Sequence, residues 1–487
     1  MSVNGSPARA VFLGVDVGTQ GARVVALDDN GQVRASRQQA FAGMADPARE
    51  QPVDAWWATL LPLLAAVAGD LARHPGLIPT AVGVTSTSGT VVPLDREHRP
   101  LGPALMYSDD RAAEDAAVCR WVAAEAGCPT EFGSSWGLPK ILWFRRTQPA
   151  TAARVAAWRH AADVVVGRLS GEWAATDPTN ALKTGYDPDR GRWPHDVLDR
   201  LHVPRCWLPA VVPSGTPVGP LSPEVAAATG LPRSLLVTVG ITDGCASQIA
   251  AGAVEPGSWS TTLGTTLVVK GVSRSRVVDP LGRLYDHRHP EGWWMPGGAS
   301  NTGAGWIARD YGEDDLAALD ARAGSLSPTG LLAYPLPGQG ERFPFVAPAA
   351  VGFDPPGVAR VERYAARLEG VAFLERFAYE LVERLSGEPV RRVATTGGGS
   401  RSETWLGIRA AVLGRPVTRP ACPEGAAGAA ILAASRTAFG SLTEAAGRMS
   451  QPDLVVEPPR PADAYDEAYG RFVGALAARG YLAEDAA

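Results

Sequence analysis

Asp243 stands just after an apolar run, Leu235–Val239, with the make-up of a buried strand, and just before the small-residue segment Gly244–Gly252. The small side chains of that segment let another backbone come close. A carboxylate at such a strand end suits a general base in phosphoryl transfer, where it holds the proton of an acceptor hydroxyl in line with a γ-phosphate. A second reading of Asp243 is the N-cap of the following helix. Asp16 ends another buried strand, Val11–Val15, and leads into the glycine turn Gly18-Thr19-Gln20-Gly21. Gly264-Thr265-Thr266, between Leu263 and the strand Leu267–Lys270, is a turn of the same kind. Both turns offer backbone amides and hydroxyls to phosphate oxygens. Like charges repel, so Asp16 does not touch phosphate; its fitting role is to hold Mg2+ through water. Gly397-Gly398-Gly399-Ser400 follows the strand Arg392–Thr396 and lets a nucleotide approach the backbone unobstructed.

The elements that must place these residues begin with antiparallel strands at Val11–Val15, Val24–Leu27 and Gln32–Gln38, with a hairpin turn at Asp28-Asp29-Asn30-Gly31. A doubly wound nucleotide fold enters a helix after its first glycine turn, so this opening points to another α/β frame. The second half repeats the strand-rich opening around Gly264, with a boundary near Val254–Gly257. The expectation is two similar α/β domains, 1–255 and 256–487, facing one cleft whose closure keeps water from ATP. Helices are predicted over Trp56–Leu71, Arg111–Ala124, Leu138–Phe144, Trp158–Leu169, Ala304–Tyr311 and Tyr364–Leu385, the last interrupted at Gly370. Others start at Glu403 or span Gly425–Ser435 and Tyr465–Leu476, the last a packing helix. A short strand, Ala81–Val84, ends in the hydroxyl run Thr85-Ser86-Thr87-Ser88-Gly89. Residues 1–10 read as a disordered tail, Pro213–Pro223 as a surface segment, and Gly340-Glu341-Arg342 as part of a long Pro/Gly loop. Asp109 and Asp110 fit helix N-capping. Asn180–Asp187 fits either a sugar pocket or a solvated loop.

With 487 residues the chain can fill two substantial cores. A formal charge of −5 spread over that length leaves no basic stripe for nucleic acid. Lys140, Lys183 and Lys270 are the only lysines, and no Gly-Lys pair occurs, which excludes a P-loop. Five cysteines without a CxxC pattern fit reduced thiols in a cytoplasmic protein, and the seven scattered histidines argue against structural zinc. There is no signal-type apolar segment and no uninterrupted run of ~18 apolar residues. The expected setting is cytoplasmic, with no membrane and no nucleic-acid partner.

Taken together, these residues resemble the FGGY carbohydrate kinases, a family in the actin, hexokinase and Hsp70 superfamily. The likeness runs from Val11 to Ala434. Asp16-Val17-Gly18-Thr19 resembles the first phosphate motif, Gly240–Gly244 the segment of the catalytic aspartate, and Leu263-Gly264-Thr265-Thr266 the second phosphate motif. Gly397–Ser402 resembles the adenosine motif, followed by Gly414–Val417 and Gly428-Ala429-Ala430. Within the family the chain is most similar to the D-ribulokinase branch, often labelled xylulose kinase in plants and cyanobacteria. The residues that carry this are Gly21-Ala22-Arg23, Thr85–Thr90, Met106–Ala112, Asn180–Asp187 and Gly298–Gly303. Ordinary bacterial xylulokinases have methionine-histidine where this chain has Thr87-Ser88.

The resemblance implies two ribonuclease H-like domains flanking an ATP cleft, and a kinase acting on the terminal hydroxyl of a keto-pentose. D-ribulose is the first expectation; D-xylulose or another sugar or polyol is the alternative. It implies Asp243 as catalytic base, Thr87, Ser88, Asp109 and Lys183 at the sugar, and Asp16 at Mg2+. Gly18, Thr19, Gln20, Gly264, Thr265, Asn301, Gly398 and Gly399 would hold ATP. A small-molecule sugar is the expected partner, and a homodimer is admitted. The rival from another class is an ATP-binding scaffold of the actin/Hsp70 type.

Overall fold

The computed structural model describes residues 8–42, 44, 46–128, 130–459 and 463–482. The expected tail lies outside the described residues over 1–7, while Arg9 and Ala10 already belong to the first strand. The chain packs into two units: Met1–Ala250 with His287–Gly292 and Cys422–Ser450, and Ala251–Asp286 with Trp293–Ala421 and Gln451–Ala487. A single cut near residue 255 therefore does not describe the packing, because Cys422–Ser450 returns to the first unit.

The first unit is built on β1 (Arg9–Val17), β2 (Gly21–Asp28), β3 (Val33–Ala40), β4 (Leu77–Ser86), β5 (Pro217–Pro220), β6 (Leu236–Thr238) and β7 (Ile241–Thr242). The sheet order is β5-β6-β4-β1-β2-β3, with β7 also paired to β4. β1 runs antiparallel to β2 and parallel to β4. Successive side chains of a strand face opposite ways, and β1 is buried on both faces. Val11, Leu13 and Val15 join a core with Trp56, Leu60, Leu64 and Val67 of the helix Val53–Ala72. That helix is long and apolar enough to cross a membrane by length and composition, but its buried side packs on this sheet.

On the opposite face lies the helix Gly425–Thr437, and two glycines explain its proximity. A Cβ on Gly14 would sit 1.6 Å from the carbonyl oxygen of Ala426, and one on Gly83 would sit 2.2 Å from that of Ala429. The helix touches Asp243–Ala250 in the same way, since a Cβ on Gly428 would lie 1.8 Å from the oxygen of Ala246. Alanines and glycines fill these helices because backbone meets backbone there.

The second unit is built on β8 (Ser258–Leu263), β9 (Leu267–Gly271), β10 (Leu284–Arg288), β11 (Trp294–Ser300), β12 (Arg392–Thr396), β13 (Val417–Pro420) and β14 (Pro452–Val456). The sheet order is β10-β11-β9-β8-β12-β13-β14. β8 is antiparallel to β9, β9 to β11, and β8 is parallel to β12 as β12 is to β13. The arrangement β11-β9-β8-β12-β13 repeats β3-β2-β1-β4-β6 in order and direction, so the duplicated pattern of the sequence is a duplicated topology. The helix Arg360–Ser386 lies in its core, with Phe373 against Tyr465, Tyr469 and Phe472 at ring distances of 5.5–6.1 Å. Beneath the strand ends, the fully buried Arg409 makes 2.7 Å bonds to both oxygens of Glu375 and a 2.6 Å bond to Thr395.

Several elements differ from expectation. Ala157–His160 is a strand and only Ala161–Ser170 is helical, because His160 and Asp163 form a capping box that starts the helix there. The helix through Gly370 is unbroken; the glycine is there because a Cβ would sit 2.0 Å from the oxygen of Ala333. Gly340 and Glu341 end a strand, Tyr334–Glu341, paired with Ala347–Phe353, and do not lie in an open loop. Its prolines are tolerated because the two strands form a sheet of their own, so every strand is an edge.

Candidate functional site

Asp16 lies near the end of β1, opposite Arg23 on β2 and Thr85 on β4. Its carboxyl is pushed up to about 6, first by burial and then by Asp243, with Arg23 opposing. Asp243 is exposed and begins the helix Asp243–Ala250, where its Oδ1 accepts the Gly244 amide at 2.7 Å. These two acids, 227 positions apart in sequence, are therefore brought into electrostatic contact. The N-terminus of the Gly425–Thr437 helix completes the surroundings, with Asp16 Oδ2 3.3 Å from where a Gly425 Cβ would be.

Gly18-Thr19-Gln20 is the hairpin turn between β1 and β2, closed by Gly18 N–H to the Gly21 carbonyl at 3.0 Å. Gln51, which sequence reasoning missed, holds this turn: its Nε2 donates to the Thr19 carbonyl at 2.8 Å while its Oε1 accepts Trp56 Nε1 at 2.6 Å. A buried glutamine ahead of an apolar helix carries no local mark of that role.

β4 ends in the hydroxyl run. Thr87 is buried and shares a 2.7 Å hydrogen bond with Thr90. Thr85 Oγ1, Ser86 Oγ and Ser88 Oγ are enclosed yet find no hydrogen-bond partner among the described residues. Buried hydroxyls are ordinarily paired; because successive strand residues face opposite ways, Thr85 lies on the Asp16 side, near Gly425, and Ser86 on the other face of the sheet. β7 pairs with β4 at Thr85 and Ser86, which puts the run next to the strand that delivers Asp243.

Asp109 is fully buried and Asp110 is exposed. Capping does not account for Asp109: the helix Ala113–Glu125 has Ala112 at its N-cap and no side-chain cap. Its carboxylate instead takes Arg111 Nε at 2.8 Å and the Arg111 amide at 3.2 Å, with Arg49 at 3.5 Å. Beside it, Lys140 is fully buried in the helix Gly137–Thr147 and donates to the carbonyls of Gly89, at 3.1 Å, and Met106. Burial lowers the Lys140 ammonium to about 7, with Asp109 opposing the shift and Lys183 adding to it. Lys183 lies against the same turn, its Cδ 3.0 Å from where a Gly89 Cβ would be. Thr87, Ser88, Asp109 and Lys183 are thus gathered in one neighbourhood of the first unit, tied together by Lys140. Asn180–Asp187 is neither open loop nor pocket wall throughout: Asn180 donates its Nδ2 to Asp177 at 2.5 Å while its enclosed Oδ1 has no partner among the described residues, and Asp187 accepts the amides of Asp189 and Arg190 at 3.0 Å.

In the second unit, Gly264-Thr265-Thr266 is the hairpin turn between β8 and β9, with Gly264 N–H to the Thr266 carbonyl at 3.0 Å. Gly303 packs against it; a Cβ there would sit 2.4 Å from Thr266 C. Asn301 is held rather than open: its Nδ2 donates to the Gly340 carbonyl at 2.8 Å and its amide to Glu341 at 2.8 Å. Glu341, another residue the sequence did not single out, also accepts Ser300 Oγ at 2.8 Å, Thr302 Oγ1 at 3.0 Å and Tyr334 OH at 2.8 Å. Gly397, at φ 84°, turns tightly over Leu263, whereas Gly398 has no atom within 4 Å of a notional Cβ. The GGGS turn therefore presents bare backbone at Gly398, and Gly399 packs on Leu263.

A half-buried carboxylate whose charge is opposed by burial and by a second acid fits a divalent cation, which would offset both costs. Asp16, with Asp243 near it, has that electrostatic character, although the described residues hold no group of three or more His, Cys, Asp or Glu side chains that could bind a metal by themselves.

A model of the FGGY family of carbohydrate kinases, N-terminal domain, matches residues 11–250, and the C-terminal domain of the same family matches 259–437. The xylulose kinase of Escherichia coli K12 is 26% identical over 426 residues, covering 83% of this chain and 85% of its own. The gluconokinase of Bacillus licheniformis is 24% identical, with 86% of each chain covered. The crystal structure of xylulose kinase from Rhodospirillum rubrum superposes with a TM-score of 0.82 at 27% identity, over 96% of this chain and 99% of that one.

Proposed function

Because the chain belongs to the FGGY family of carbohydrate kinases, we propose that it transfers the γ-phosphoryl group of ATP to the terminal primary hydroxyl of a keto-pentose, D-ribulose by preference. Family membership makes it an ATP-dependent sugar kinase and sets aside the ATP-binding scaffold. The observation that carries the proposal is the placement of enclosed, unpaired hydroxyls at Ser86 and, just past the strand end, Ser88, where Ser86 pairs with the residue before Asp243. Asp243 holds and takes up the proton of the acceptor hydroxyl. Asp109, fixed by Arg111, and Lys183 complete the polar wall at the sugar. The amides of Gly18–Gln20 and Gly264–Thr265 receive phosphate oxygens, and Gly398 and Gly399 leave room for the adenosine. Mg2+ held at Asp16 through water supplies charge neutralisation at the phosphates.

D-xylulose is the second reading, favoured by the names of several relatives. Thr87-Ser88, two small hydroxyl residues in place of methionine-histidine, weighs against D-xylulose. The test is coupled ADP release with Mg-ATP over a panel of ketoses, aldoses, polyols and glycerol. The expected kcat/KM for D-ribulose exceeds that for D-xylulose by about tenfold or more, and Asp243→Ala loses ~10²–10⁴-fold. A better turnover of D-xylulose overturns the sugar assignment; turnover that no sugar stimulates overturns the kinase reading.

A further inference from the structure

We infer that Thr179, oriented by the buried Asp177, is the positioning residue that fixes Asp243 for proton abstraction. The inference rests on Asp243 being the base. Asp177 is fully buried and begins the short helix Pro178–Ala181. Its Oδ1 accepts the Thr179 amide at 2.8 Å, Thr179 Oγ1 at 2.5 Å and Ser214 Oγ at 3.2 Å, and its Oδ2 accepts Asn180 Nδ2 at 2.5 Å. With its proton committed to Asp177, the Thr179 hydroxyl has only lone pairs to offer elsewhere. One of them accepts the backbone amide of Thr242 at 2.9 Å.

Thr242 is the last residue of β7 and the one before Asp243. On its other side β7 pairs with β4, Thr242 against Ser86. The two-residue strand is therefore held from both sides: by the hydroxyl-bearing strand and by a hydroxyl whose direction a buried carboxylate sets. Thr179 is itself fully buried and Thr242 is 2% exposed, so water cannot readily stand in for the missing partner. An amide left without an acceptor there would let the strand end shift, and with it the first residue of the Asp243 helix. Misplacement of a reacting group by about 1 Å costs on the order of 10²-fold in rate.

The test compares Thr179→Val, nearly isosteric but without the hydroxyl, with Thr179→Ser, which restores it. The expected result is a kcat reduced ~10–100-fold in Thr179→Val with both KM values within about threefold of wild type. Thr179→Ser should return kcat to within about threefold of wild type. Amide hydrogen exchange at Thr242–Gly244 should speed up in Thr179→Val alone. Unchanged kcat and exchange in Thr179→Val, or a Thr179→Ser as impaired as the valine variant, overturns the inference. If Thr179→Val does not fold, Thr179→Ala carries the same expectations. Asp243→Ala separates the two readings: if it keeps wild-type kcat the base assignment has failed, whereas a dead Asp243→Ala beside a fully active Thr179→Val removes only the role of Thr179.

Discussion

Substituting Gly14 by alanine should be among the most damaging single-methyl additions this protein can receive. The new Cβ would lie 1.6 Å from the Ala426 oxygen, 2.6 Å from its carbon and 2.9 Å from the Ala430 nitrogen. Ordinary contact needs ~3.5 Å, so helix and strand must part by roughly 1.5–2 Å, and neither obstacle is a side chain that can rotate away. The helix Gly425–Thr437 is buried from Gly425 to Ser435, so such a retreat opens a gap along its whole length. Overpacking ordinarily costs ~1–3 kcal/mol; with backbone on both sides we expect about 3–5 kcal/mol. For a unit larger than ~250 residues the shift is under ~2 °C per kcal/mol, a Tm lower by roughly 5–9 °C. Gly69→Ala is the control: it lies exposed in the helix Val53–Ala72 with nothing within 4 Å. That change should stabilise by about 0.5–1 kcal/mol. Urea unfolding followed by fluorescence measures both. A Gly14→Ala variant within ~1 kcal/mol of wild type would refute the close packing of this helix on β1.

Two further outcomes follow from the charged groups. The Asp16 pKa is raised in the fold, from 3.8 to about 6. In metal-free buffer its contribution to stability is therefore full below pH 3.8 and lost as pH rises through about 6. Asp16→Asn should exceed wild type by up to about 3 kcal/mol above that range and match it below, while losing kinase activity; equal stability at all pH values would contradict this. Lys140→Met keeps the volume but strips the Gly89 and Met106 carbonyls of their donor, so the KM for sugar should rise about tenfold with the KM for ATP unchanged. Equal rises in both KM values would mean that Lys140 does not act through the sugar turns.

What was legible in the sequence depended on how local its cause is. The bounds Arg392–Thr396 and the helix start at Glu403 are legible to the residue because a glycine turn follows Thr396 and Ser402 caps the helix, while Val417–Pro420 is bounded by its own proline. The frame was legible because both halves open with antiparallel strands around a glycine turn. Glu341 was not, because a Pro/Gly-rich stretch gives no sign that its carboxylate reaches back 40 positions to Asn301. Lys140 looked like any helix lysine; only packing shows its ammonium enclosed. Gly425–Ser435 was recognised as a small-residue helix, but which sheet it covers is decided by Gly14 and Gly83, some 340 to 410 residues earlier.

That return of Cys422–Ser450 to the first unit bears on synthesis. A ribosome delivers Met1–Ala250 first, yet the glycine-lined side of β1 and β4 stays bare until Thr437 has been made. At ~5–20 residues per second the interval is roughly 10–40 s. The second unit also waits for its last helix, Asp466–Ala478. Neither half can be finished and set aside while the other is translated, so the nascent chain carries an open sheet until Ala478 has emerged, the period in which a chaperone has most to cover.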